Sequence, residues 1–421
     1  MTSTDPTDST PTQRDYDIVV YGATGFVGRL TATYLAEHAP ANTKVALAGR
    51  SLTRLESVRK SLPARAAEWP LVEADASDID SLRALAVSTR VVITTVGPYA
   101  KYGLPLTTVC AEAGTDYVDL TGEVLFARKS IDANHEIARS TGARIIHSCG
   151  FDSIPSDIGV HVLYSAVADD GAGELTDTTL VVSAMRGGVS GGTIDSLRTQ
   201  IDEVKKDGKL RRLAARPYSL SPDRSLEPDL GRQSDVTLVN GKDIAPGVRG
   251  WKAPFVMASY NTRVVRRSNA LREWAYGKEF RYREVMSVGS SFASPVIAGA
   301  VSAGLGAVVV GMTVLPKKIL DRVLPKPGEG PSPKAQDSGH FTMDLYTTTT
   351  SGAHYRSRVK ATGDPGYKAT SVMLGESALA LVHNRSELPD AAGVLTPATG
   401  IGDALVTRLR AAGFEIWAKK A

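Results

Sequence analysis

Cysteine is scarce in this chain of 421 residues. The two present, Cys110 and Cys149, have neither the spacing of a metal site nor the density of a disulfide framework. Both lie near apolar runs, which fits buried thiols and a reducing cytoplasm, and no metal site is expected. An excess of one charge is also missing. With 49 Lys and Arg against 45 Asp and Glu, the net charge is +4, too small to mark nucleic acid as a main partner. The opening residues 1–15 are rich in Thr, Ser, Asp and Pro and hold no apolar run, so they read as a disordered leader and not as a signal peptide. Internal repeats and coiled-coil heptads are absent. What remains is 42% hydrophobic and 22% charged, ordinary for a globular protein long enough for two or three domains.

The chain is organised around Asp17–Gly28. The apolar run Ile18–Tyr21 enters a turn with Gly22, Gly25 and Gly28, and a segment with helical spacing follows. The first glycine allows a sharp reversal, the second admits a pyrophosphate to the backbone, and the third lets the helix pack close to the strand. The helix N-terminus adds unpaired N–H groups and partial positive charge. Gly22, Thr24, Gly25, Phe26, Val27 and Gly28 are therefore expected to cradle a dinucleotide. Lys44–Ala48 reads as a second strand, whose exit carries Gly49, Arg50 and Ser51 where an NAD site usually has a carboxylate. Arginine suits a 2′-phosphate, so NADP(H) is the expected cofactor, with Arg50 and Ser51 as its discriminators. Asp75, closing a third strand, is expected beside the adenine.

Val91–Val96 is a continuous apolar run of the fully buried parallel kind. It leads into Gly97, Pro98, Tyr99, Ala100, Lys101, Tyr102 and Gly103. Val96, Gly97 and Pro98 are expected at the nicotinamide end. Tyr99, Lys101 and Tyr102 stand there as proton donors, or the tyrosines simply wall the pocket. A helix is expected over 104–113, and further strand–helix alternation runs to Asp157. It puts Asp119, Glu123, His147, Asp152 and Asp157 on the same rim, with Asp152 a further catalytic candidate and Ser156 or Asp157 a helix cap. Six such strands predict an α/β fold, a Rossmann-type doubly wound parallel sheet over residues 16–157.

Four motifs together make the chain similar to a known family: Gly22–Gly28, Gly97–Gly103, Tyr117–Glu123 and Gly150–Asp157. They resemble the saccharopine dehydrogenase-like oxidoreductases, and within these the mycobacterial trans-acting enoyl reductases. Thr262–Ala270, Pro327–Ser332 and Gly363–Thr370 match as well, so the resemblance runs from Tyr16 nearly throughout. It implies NADPH-dependent reduction of an enoyl thioester held by a polyketide synthase or acyl carrier protein, in the making of phthiocerol-type lipids. It also implies that residues 366–421 return as helices to the nucleotide-binding domain. Two other readings stay open: a saccharopine-like reductase of a lipid carbonyl or C–N substrate, and a non-catalytic NADP-binding, lipid-associated protein.

In the second half the helix–strand rhythm loosens. Leu180–Met185 and Phe341–Thr350 read as strands of a second, α+β substrate domain over 158–365, its sheet expected to be antiparallel. Thr193 is read as capping a helix through Gln200, Pro217–Gly231 as a surface loop, and Tyr367 and Lys368 as second-choice proton donors. Arg263, Arg266, Arg267 and Arg272 are read as a basic strand, one row of which faces the substrate cleft while the other is exposed and either steers an acidic carrier protein or is a solvated face paired with Glu273 and Glu279. From Val285 to Pro316 there is no charged residue, and Lys317, Lys318, Arg322 and Lys326 follow. This stretch 285–316 has three readings: a transmembrane helix, an insertion at the membrane surface, or a buried or homodimer-forming element. The expected location is cytoplasmic, peripheral at the inner membrane surface if the stretch meets lipid.

Overall fold

The computed structural model describes residues 14–187, 191–314 and 330–421. The leader up to Gln13, Gly188, Leu315–Pro316, the basic residues of 317–326 and Pro327–Glu329 lie outside the described residues. The apolar run at the start becomes β1 (Tyr16–Tyr21), and its residues sort by parity: Ile18 and Val20 enter one hydrophobic core, Val19 and Tyr21 another. Such sorting is what a strand covered on both faces requires.

The first sheet continues with β2 (Val45–Gly49), β3 (Leu71–Glu73), β4 (Thr89–Thr94), β5 (Asp116–Val118) and β6 (Arg144–Ile146). The connections are α1 (Phe26–His38), α2 (Leu52–Ser61), α3 (Ile79–Ser88), α4 (Tyr99–Ala113) and α5 (Val124–Thr141). Leu35 of α1 and Leu55 of α2 join the core of Ile18, while Leu82, Leu106 and Ile131 of α3, α4 and α5 join that of Val19. Helices thus cover both faces, as the doubly wound reading anticipates.

Next come α6 (Ile154–Asp169), β7 (Leu175–Arg186), α7 (Gly191–Lys206), α8 (Gly208–Ala215), β8 (Val239–Asn240) and β9 (Trp251–Pro254). They are followed by α9 (Ala258–Leu271), β10 (Arg281–Ser287), α10 (Ser294–Val314), β11 (His340–Thr349), β12 (His354–Thr362), β13 (Gly393–Leu395) and β14 (Glu415–Lys420). The sheet orders are β13-β6-β5-β4-β1-β2-β3 and β14-β12-β11-β7-β10-β9-β8. Every pairing in the first is parallel. β13 makes it seven-stranded, one strand more than the sequence suggested. The second sheet is mixed and not purely antiparallel, because β10 runs parallel to β7. α6 packs against that sheet closely enough that a Cβ on Gly159 would sit 2.8 Å from Leu345.

Three local expectations are corrected. α4 begins at Tyr99, not Leu104, because the Glu123 carboxylate accepts from the Tyr99 and Ala100 N–H groups at 2.9 and 2.7 Å and so caps the helix. α7 begins at Gly191, which places Thr193 inside it. The arginine run is no strand: it lies on α9, where every residue from Tyr260 through Asn269 is buried. Arg263 pairs with Asp235, Arg266 donates to the Tyr282 carbonyl at 2.9 Å, and Arg267 donates to those of Leu220 and Val394 at 2.6 and 2.5 Å. Helical pitch, not β alternation, aims them, and they hold the protein together rather than face a carrier protein. The reading of Pro217–Gly231 as a loop stands.

Candidate cofactor and active site

The first sheet reverses winding direction between β1 and its neighbours β2 and β4, and ligands bind beyond the carboxyl ends of strands at such a switch. A cleft of about 640 Å³ opens there. Strand order lays out its floor. Asp75, Ala76 and Ser77 follow β3, Gly49 and Arg50 end β2, Gly22 and Thr24–Val27 follow β1, and Thr95–Pro98 follow β4.

Gly22 has φ +88°, and a Cβ there would meet Thr95 Oγ1 and Val96 Cγ2 at 2.8 Å, so the turn requires glycine. A Cβ on Gly28 would overlap the Gly22 carbonyl, which makes Gly28 the packing glycine beneath the turn and not part of the cleft wall. Gly25 caps α1 without a side-chain hydrogen bond, and no acidic residue stands in the helix's first turn. The N–H groups there are left for an anion. Arg50 lines the cleft beside Asp75, whose carboxylate is occupied by the N–H and hydroxyl of Ser77 at 2.9 and 2.7 Å. Those bonds hold the Asp75 pKa below its usual value, with a smaller contribution from Arg50. Ser51 is turned into α2, where it caps the helix at Arg54 N.

The four catalytic candidates separate. Lys101 and Tyr102 line the cleft, and Tyr102 is 45% exposed. Tyr99 is buried: its hydroxyl donates to the Thr94 carbonyl and accepts from Leu120 N, both at 3.1 Å. Burial first, then the negative charge of Asp119, pushes its pKa well above the usual tyrosine value. A proton-donor role for Tyr99 is therefore corrected to a structural one. Asp152 is not among the lining residues and lies near Gly122, its Oδ2 4.0 Å from where a Cβ would stand.

The other rim residues are internal. Asp119 binds His147 Nδ1 at 2.7 Å, and both are buried. Asp157 caps nothing on its own helix; it accepts from Ser268 Oγ at 2.5 Å and Ala398 N at 2.8 Å.

Gly192, Asp195 and Tyr367 face the cleft from the second half of the chain. The Tyr367 ring meets Phe26 edge-on at 5.0 Å, and its hydroxyl accepts from Gly191 N at 3.3 Å. Gly330 lies against Phe26 so closely that a side chain would overlap the ring. Lys368 points elsewhere, paired with Asp337 at 2.5 Å. Ser77, Gly192 and Asp195 escaped the sequence reading; for the last two, the glycines before Thr193 were the available signal. Among the described residues, no group of three or more His, Cys, Asp or Glu could hold a metal ion.

Residues 18–146 match the saccharopine dehydrogenase NADP-binding domain. A Mycobacterium tuberculosis (H37Rv) protein named trans-acting enoyl reductase is 52% identical over 410 residues, covering 96% of this chain and 97% of its own. The chain belongs to the trans-acting enoyl reductase family. A Mycobacterium ulcerans relative of the same name is 49% identical over 414 residues, covering 97% and 99%. Among solved structures, Saccharomyces cerevisiae saccharopine dehydrogenase superposes with a TM-score of 0.52 at 12% identity, over 96% of this chain and all of that one. That likeness concerns the fold. Family and domain together make this reductase an NADP-dependent oxidoreductase.

Proposed function

We propose that the protein is a trans-acting enoyl reductase that takes its α,β-unsaturated thioester from a separate polyketide synthase or its acyl carrier, in the assembly of phthiocerol-type lipids. Full-length similarity to relatives of that name carries the reading. The cleft supports it with a phosphate cradle at the first turn of α1, Arg50 for the 2′-phosphate, and Lys101 and Tyr102 beside the turn after β4. NADPH, when bound, supplies hydride to the β-carbon. Negative charge then develops on the thioester oxygen and α-carbon, and a group on the protein must offset it and supply a proton. Lys101 and Tyr102 fill these two roles, the ammonium stabilising the enolate and the phenol protonating carbon, or the reverse. Glu123 acts as their positioning residue, because its cap fixes the first turn of α4.

A saccharopine-type substrate would need fixed cations for its carboxylates, and Arg263, Arg266 and Arg267 are committed to the interior instead. The test is NADPH consumption by purified protein against a panel of enoyl thioesters, carbonyls and imines. Consumption confined to the enoyl thioesters, and lost in Tyr102→Phe or Lys101→Met with NADPH binding retained, is the expected result. Reduction of carbonyls or imines alone would overturn it.

A further inference from the structure

α10 is the element whose composition and placement disagree. It carries no charge over 21 residues, and Ser294–Met312 has a mean hydropathy of 1.9 yet is only 12% buried. An uncharged helix of this hydropathy belongs in a protein core or in lipid. Phe292, just ahead of it, is 99% exposed and Val296 76%. Its attachment is narrow: Ala298 and Met312 are buried, and Ser294 Oγ accepts from Trp251 N at 3.1 Å. A Cβ on Gly299, Gly304 or Gly306 would touch nothing within 4 Å. At 3.6 residues per turn, these glycines with Val296 and Val308 spread over more than half the circumference of the helix. A second copy of the chain would cover one stripe, whereas a continuous apolar medium covers an arc of that width.

The flanks fix how deep the helix goes. Ser294 is tied to β9 at one end, and beyond the other Gly330 packs on Phe26, so both belong to the same body. A full crossing would drag the intervening residues 315–329 back through hydrocarbon, and these carry four cations, Lys317, Lys318, Arg322 and Lys326, against Asp321 and Glu329. The excess of cations matches anionic headgroups instead. We propose that α10 seats the protein in one leaflet of an anionic bilayer. Because α10 packs on α7, whose first turn lines the cofactor cleft, the cleft then opens next to the lipid surface.

The test is flotation of the full chain with phosphatidylcholine–phosphatidylglycerol vesicles, beside a Val296→Glu/Val308→Glu variant. NADPH binding serves as the check on folding and is expected to be equal in both. The intact chain should float, and the variant's partition should fall by at least about tenfold. An intact chain that stays with the soluble protein, or a variant that floats equally, would overturn the proposal. So would an intact chain that is dimeric and does not float beside a monomeric variant, since a second copy would then be the cover. Thioester reduction is scored separately, so failure of the enoyl reductase reading leaves this result unaffected.

Discussion

α9 and α10 invert the usual assignment of residues to places. α9 carries three arginines within five positions and is buried throughout its middle, while α10 carries no charge and is mostly exposed. The difference lies in what each helix meets. The guanidinium groups of α9 find carbonyls at the right distance, so desolvation is offset by charge-assisted hydrogen bonds. Burial still pulls the Arg267 pKa down to about 9, helped by Arg128, and that of Arg266 to about 10, helped by Arg263. Apart from the Ser294 hydroxyl at its first turn, α10 meets the protein through apolar side chains, and the protein covers only its narrow inner side. Charge and hydropathy by themselves therefore rank these two helices backwards.

The contrast can be broken most severely on the buried side. Arg263→Ala would leave the largely covered Asp235 carboxylate with the Thr262 hydroxyl and no cation, and should lower stability by about 3 kcal/mol in denaturant unfolding. A loss under about 1 kcal/mol would mean that the pair is solvated.

Next is Glu284, which accepts from Tyr282 OH at 2.8 Å and from Asn261 of α9 at 3.0 Å. Burial raises its pKa from 4.5 to about 7, against the pull of its hydrogen bonds. The folded state thus holds a proton that the unfolded state has released between those values. Its contribution is complete below about pH 4.5 and is lost as pH rises through about 7, on the order of 3 kcal/mol in all. Glu284→Gln should flatten that part of the stability–pH curve measured by urea unfolding; an unchanged slope would place the proton elsewhere.

An exposed arginine makes the third comparison. Arg50→Asp should weaken NADPH binding, relative to NADH, by about 1–3 kcal/mol in titration calorimetry while leaving stability alone. Equal losses for both cofactors would remove its role in discrimination.

The smallest effect belongs to α10. Val296→Glu, at a position 76% exposed, should change stability in water by no more than about 0.5 kcal/mol. A large loss would show that a contact within the protein covers that face.

Much of the first sheet was legible, because a turn with glycines at 22, 25 and 28 between an apolar run and a helix leaves few alternatives. Position at the end of a strand also anticipated that Arg50, Asp75 and Val96–Pro98 line one cleft. It failed for Tyr99, because the cap that starts α4 there comes from Glu123, twenty-four positions on. It failed for α9 too: arginines at 263, 266 and 267 fit strand and helix alike until their carbonyl partners are known. Asp195 and Gly192 reach the cleft only through the packing of the second half against the first, which no local pattern encodes.

The edges of both sheets carry one more consequence. β13 borders the first and β14 the second, and both are synthesised after every other strand they sit beside. While the ribosome is still short of Gly393, β6 and β12 each present an unpaired edge, the kind of surface that recruits foreign strands. When the late stretch of chain arrives, it pairs β6 and β12 and moves those two edges outward to β13 and β14.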